Sequence, residues 1–125
     1  DDENLKKAFV DNYEFLNKKE FVLLTKYCRY NYSPLIVKKL TNTLMYGNFC
    51  SSYMVDNLLS NEKNKPIFYG ELLEFSKSDF EKSILFIENY ITYKKDLLKD
   101  FKKIDNLNNS DKKLIKKIVA IIKTN

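Results

Sequence analysis

The run Ser78–Ile104, SDFEKSILFIENYITYKKDLLKDFKKI, constrains the fold of this chain more than any other stretch. Reading every third or fourth position gives Phe80, Ile84, Ile87, Ile91, Lys94, Leu98 and Phe101. Six of those seven are apolar, the spacing of one helical face and not of a strand. Ser78 suits an N-cap, Glu81 three residues on completes a capping-box pattern, and no proline or glycine interrupts the run. A continuous helix of this length would be about 40 Å long, against a radius of gyration of about 14 Å for a domain of this size. The pattern predicts an all-α fold: a single compact bundle of about six or seven helices over residues 1–125, gathered on a long helix near 78–104.

Start and stop signals divide the rest of the chain. An acidic start and the face Leu5, Phe9, Tyr13, Leu16 predict a first helix over Asp2–Leu16. Asn17 with Glu20 reads as a capping box opening a helix to about Tyr30, with Phe21, Leu24 and Cys28 inward. Ser33-Pro34, a cap followed by proline at the first helical position, starts a third helix that carries Val37, Leu40 and Leu44 and stops at Gly47. A shorter helix follows over Ser51–Leu59, then the polar SNEKNK segment at 60–65, the most loop-like of the chain. Pro66 opens the next helix, and DNLNN turns into a C-terminal amphipathic helix over 111–123, capped by Ser110.

Leu-Leu pairs at 23–24, 58–59 and 97–98 are each followed by an apolar residue, Leu40, Phe75 and Leu114, at the same distance. Stacked helix pairs would give such a period, so a helical-repeat-like arrangement stands beside the plain bundle. The Leu-Leu…Tyr…Leu-x-x-Leu rhythm of Phe21–Leu44 resembles the helical repeats of organelle RNA-binding proteins. That resemblance covers about a fifth of the chain and carries no functional residue with it.

Composition narrows the function. The chain has no histidine, which removes Ser-His-Asp and Cys-His nucleophile arrangements and His-containing metal sites. Two glycines leave no room for a phosphate-cradling Gly-rich loop. Asp11–Phe21 ends like a calcium loop, yet lacks its alternating oxygen ligands and central glycine. Carboxylates at Asp79, Glu81, Glu88, Asp96 and Asp100 lie beside lysines at helical spacing, the pattern of solvated ion pairs. No cofactor and no metal are expected. Cys28 and Cys50 fit neither a disulfide framework nor a Cys-x-x-Cys motif, which points to small buried thiols in an intracellular, reducing compartment. The apolar runs are far too short to span a membrane, and the chain opens with neither a signal-peptide pattern nor methionine, as a processed fragment would.

The formal charge is +5, all of it in residues 63–125. Lysine outnumbers arginine 21 to 1, and the abundance of Lys, Asn, Tyr, Ile and Phe fits the codons of an A/T-rich genome. The basic character therefore carries little weight as functional selection. Two regions nevertheless combine cations with rings. Lys26, Tyr27, Arg29, Tyr30 and Tyr32 form one, with rings to stack unpaired bases and cations to hold a phosphate backbone. Tyr90, Tyr93, Lys94 and Lys95 form the other, and Lys102, Lys103, Lys112, Lys113, Lys116 and Lys117 continue the positive stretch.

With core and caps well specified and catalytic equipment missing, the leading expectation is a non-enzymatic helical interaction domain that binds another protein through an exposed face or groove. A basic helical RNA-binding or ribonucleoprotein component is the alternative, and contact of the C-terminal helix with an anionic membrane surface is a third.

Overall fold

The computed structural model describes residues Lys7, Asp11 and 16–124. The expected first helix, Asp2–Leu16, lies almost wholly outside them; Lys7 and Asp11 are helical and exposed. The described residues form seven α-helices and no strand: α1 Lys18–Tyr30, α2 Pro34–Tyr46, α3 Ser52–Leu59, α4 Lys65–Ser78, α5 Phe80–Tyr90, α6 Leu97–Phe101 and α7 Asn109–Thr124. A 3-10 turn, Glu62–Asn64, joins α3 to α4. The chain is an all-α multi-helix bundle, as its periodicity predicts.

Most helix starts follow from local chemistry. Asn17 and Glu20 form the reciprocal capping box, with backbone-to-side-chain distances of 2.9 and 3.0 Å. The Ser51 hydroxyl accepts from the Met54 N–H and opens α3. Pro34 and Pro66 occupy the first turns of α2 and α4, where a missing N–H costs nothing. α7 starts two residues earlier than expected, because Asn108 caps it in place of Ser110. The Asp111 N–H donates to Asn108 Oδ1 at 2.7 Å and the Asn108 N–H donates back to Asp111 Oδ2 at 3.2 Å. Gly47 ends α2 for a steric reason. Its φ of −89° suits any residue, but a Cβ there would come 2.5 Å from the Thr43 carbonyl oxygen.

The long helix near 78–104 is not one rod. Ser78 belongs to the end of α4, and Asp79 both ends α4 and caps α5, its N–H bonded to the Phe75 carbonyl and its carboxylate accepting from the Lys82 N–H. α5 then stops at Tyr90. The Thr92 hydroxyl donates to the Asp56 carboxylate on α3 at 3.0 Å, and Ile91 and Leu97 are both buried. On a continuous helix those two side chains would point about 120° apart. Breaking at Ile91–Thr92, a β-branched pair that gives up little helical preference, turns both inward. The break also shifts the phase, so Leu97 is buried where the periodicity points Leu98 inward.

The helix around which the others pack is α4. It meets α2, α3, α5, α6 and the 3-10 turn. Phe68, Tyr69, Leu72, Leu73 and Phe75 are all buried, and their rings reach in several directions. Tyr69 meets Phe101 of α6 at 5.1 Å between centroids, and Phe75 meets Tyr46 of α2 at 4.8 Å and Phe86 of α5 at 6.3 Å. Tilted and edge-on arrangements of this kind are favourable beyond the area they bury. α7 closes the bundle with Ile115, Ile118, Val119 and Ile122 inward, and the Lys77–Asp111 ion pair at 2.8 Å pins it to α4. The Leu-Leu pairs do not occupy equivalent places: Leu24, Leu58 and Leu97 are buried, the second member of the first pair but the first of the others. They also sit on helices of 13, 8 and 5 residues, so the bundle is built without that period.

The 60–65 segment is tied down rather than loose. Asn64 is fully buried, and its amide donates to the carbonyls of Cys28 (3.0 Å) and Leu58 (2.9 Å), in the last turns of α1 and α3. Neither carbonyl has an i+4 donor within its own helix, so one side chain caps two helix ends.

Candidate functional site

The cation–ring cluster at the end of α1 divides in the fold. α1 turns Thr25 and Cys28 into the core and leaves Lys26, Arg29 and Tyr30 on the surface, while Tyr27 is half-buried against the core. Lys26 Nζ sits 5.8 Å from the centre of the Tyr53 ring on α3, and that ammonium lowers the pKa of the Tyr53 phenol. The Arg29 guanidinium lies 5.6 Å from the Tyr30 ring and donates to Asn57 Oδ1 at 3.4 Å. Asn57 is buried and donates in turn to the Thr25 hydroxyl, so α1 and α3 hold the arginine's partner in place. Tyr32 turns toward Lys63 instead, 5.7 Å from its ring.

Tyr53 reaches this surface only through the packing of α1 on α3. The Thr92–Asp56 hydrogen bond ties the 91–96 segment to α3, where Tyr93 stands near Asp56, Leu59 and Ser60. Tyr30, Tyr53 and Tyr93 are 77, 49 and 79% exposed. Tyr90 goes elsewhere, meeting Phe86 in a tilted pair at 5.3 Å, since the helix breaks between it and Tyr93. Lys94 is half-buried and Lys95 exposed in the intervening segment.

Beside Tyr93 lies a small pocket of about 160 Å³, with Asp56, Leu59, Lys65, Tyr69, Ile91 and Asp100 in its wall. The fully buried Tyr69 hydroxyl lies near the Asp100 carboxylate but makes no well-formed hydrogen bond among the described residues. Burial raises its pKa, and the nearby Asp100 carboxylate adds to the effect. Beside it runs an ion-pair network. Glu62 accepts from Lys103 at 2.6 Å and from Lys65 at 2.8 Å, and Asp100 lies 3.4 Å from Lys103 and 3.6 Å from Lys65. The Lys103 ammonium, then that of Lys65, holds the Glu62 carboxyl down to about 2.

The remaining lysines are dispersed. Lys103 is committed to that network, and Lys117 covers the Phe80 ring at 4.4 Å. Lys113 is exposed on α7. Lys102, Lys112 and Lys116 rim a groove of about 660 Å³ between α6, the following turn and α7. The thirteen residues singled out from the sequence thus form no single site.

Cys28 is buried, Cys50 half-buried, and both are free thiols. Burial pushes each up to about 12, which keeps them protonated and poor as nucleophiles or metal ligands at neutral pH. Among the described residues no cluster of three or more carboxylates and thiols could hold a metal ion, and no helix is long and apolar enough to cross a membrane. No family model, curated protein or solved structure matches this chain.

Proposed function

We propose that this chain is a non-enzymatic helical interaction domain that binds another protein through the face formed by Lys26, Arg29, Tyr30, Tyr53 and Tyr93. The observation that carries the reading is the pair of exposed tyrosine rings, Tyr30 of α1 and Tyr53 of α3, set beside Lys26 and the only arginine of the chain, with exposed Tyr93 on the segment that Thr92 ties to Asp56 of α3. Tyrosine and arginine are the residue types that dominate binding energy in protein interfaces, because each offers large contact area and directed polar groups at modest entropic cost. The two cations favour a partner surface that presents carboxylates beside apolar side chains.

The test is affinity capture from the native cell, read by quantitative mass spectrometry, with wild-type chain against Tyr30→Ser/Tyr53→Ser/Tyr93→Ser. All three side chains are largely solvent-facing, so the variant folds, which circular dichroism checks. The proposal requires a protein captured by the wild type and lost with the variant; equal capture by both removes it.

A ribonucleoprotein role is the second reading, favoured by the exposed cations Lys102, Lys112, Lys113 and Lys116 together with the open rings. Its signature is RNA binding that weakens steeply with salt. Titration with single-stranded RNA that shows no binding at low salt removes it.

A further inference from the structure

We infer that the groove between α6 and α7 binds a single-chain anionic amphiphile, an aliphatic tail ending in a carboxylate. This goes beyond the protein-binding reading and shares no residue with that face. The floor is aliphatic: Leu98 of α6, Ile104 and Leu107 of the turn, and Ile115 of α7. Asn106, with φ of 60°, reverses the chain between α6 and α7, and Ile104 and Leu107, on either side of it, line the same groove. The volume of about 660 Å³ falls within the range of small-molecule sites.

The rim supplies the charge. Lys102, Lys112 and Lys116 are exposed, and none of the three has a carboxylate within ion-pair distance among the described residues. Adjacent lysines behave differently: Lys103 is held by Glu62 and Asp100, and Lys77 by Glu74 and Asp111. Asp100 and Asp111, acidic residues of α6 and α7, are thereby spent on lysines outside the groove. Positive charge is left uncompensated where it borders an apolar floor, and no acidic residue lines that groove. A hydrophobic tail with an anionic head satisfies both parts.

The groove takes the amphiphile as a monomer and not as part of a bilayer. Ile118, Val119 and Ile122 of α7 face the core, each at most 8% exposed, which leaves the groove and not the helix face as the apolar surface here.

The experiment is calorimetric titration of the full chain with decanoate below its micellar concentration. Acetate (head alone), decyl maltoside (tail with neutral head) and anionic phosphatidylglycerol vesicles are the comparison arms. Methyl resonances of Leu98, Ile104, Leu107 and Ile115 report the place of binding. The expected result is saturable 1:1 binding of decanoate with shifts centred on those methyls. In Lys102→Gln/Lys112→Gln/Lys116→Gln binding weakens about tenfold, as loss of three exposed ion pairs implies. In Lys18→Gln/Lys19→Gln/Lys38→Gln, which removes the same charge elsewhere, it changes by less than about twofold. The inference is overturned by absence of saturation, by equal affinity for acetate or decyl maltoside, by association with vesicles alone, or by unchanged affinity in the first triple variant.

Discussion

Replacing Asn64 tests how the bundle is held at its least regular point. The side chain is fully buried, and its Nδ2 donates to the Cys28 carbonyl at 3.0 Å and the Leu58 carbonyl at 2.9 Å, while its Oδ1 has no partner. Asn64→Ala removes both bonds. Among the described residues, the other side-chain donor near the Cys28 carbonyl is the Asn61 amide, at 3.5 Å. Two hydrogen bonds at about 1 kcal/mol each, plus the added penalty of leaving one buried carbonyl unsatisfied, give a loss of about 2–5 kcal/mol. That is a large share of the 5–15 kcal/mol typical of a whole domain. Asn64→Asp sharpens the test, because it keeps the shape but aims a carboxylate at two carbonyl oxygens; its loss should equal or exceed that of alanine. Urea unfolding followed by circular dichroism measures both. With an m-value of about 2 kcal/mol per M, the midpoint should fall by about 1–2.5 M. A loss under about 1 kcal/mol in both variants would refute the assignment of Asn64 as a double cap.

Further predictions concern single positions and pH. The buried Tyr69 hydroxyl makes no well-formed hydrogen bond among the described residues, so Tyr69→Phe should be neutral or stabilising in the same assay; destabilisation beyond about 1 kcal/mol would mean that Asp100 accepts from it. The two glycines should behave oppositely. Gly70→Ala meets nothing within 4 Å on a helix interior and should gain about 0.5–1 kcal/mol, whereas Gly47→Ala drives a methyl into the Thr43 carbonyl and should lose about 1–3 kcal/mol. Glu62 is held at about 2 against an ordinary 4.5, so its ion pairs contribute stability that is complete above about pH 4.5 and lost as pH falls toward 2. Asp111, lowered by Lys77, acts in the same direction. Thermal melts between pH 5 and 2 should fall less steeply for Glu62→Gln than for wild type; identical slopes would contradict the network.

What could be read from the sequence was whatever depends on neighbouring residues. Asn17–Glu20 marks a helix start through bonds within one turn, Ser33-Pro34 and Pro66 through the fixed φ of proline without a side-chain cap bond, and the structure uses all three regions as starts. The break at Ile91–Thr92 has no such mark. It depends on Asp56, 36 residues away, and on the simultaneous burial of Ile91 and Leu97. The centre of the bundle was hidden for a related reason. α4 buries residues around much of its circumference, so it lacks the sharp apolar stripe that drew attention to 78–104. The same division holds for the surface. Lys26, Arg29 and Tyr30 are legible because they are contiguous, but Tyr53 joins them only through the α1–α3 contact. Lys103 looked equivalent to Lys102 until Glu62, 41 residues away, claimed it.

The measurement that bears most directly on the proposed role is amide hydrogen exchange on the full chain, alone and saturated with the captured partner. Binding through the tyrosine-rich face predicts slowed exchange concentrated in residues 26–32, 52–57 and 91–96, with α7 unchanged. Protection confined to α7 and the 102–108 turn, or spread evenly over the chain, would contradict it.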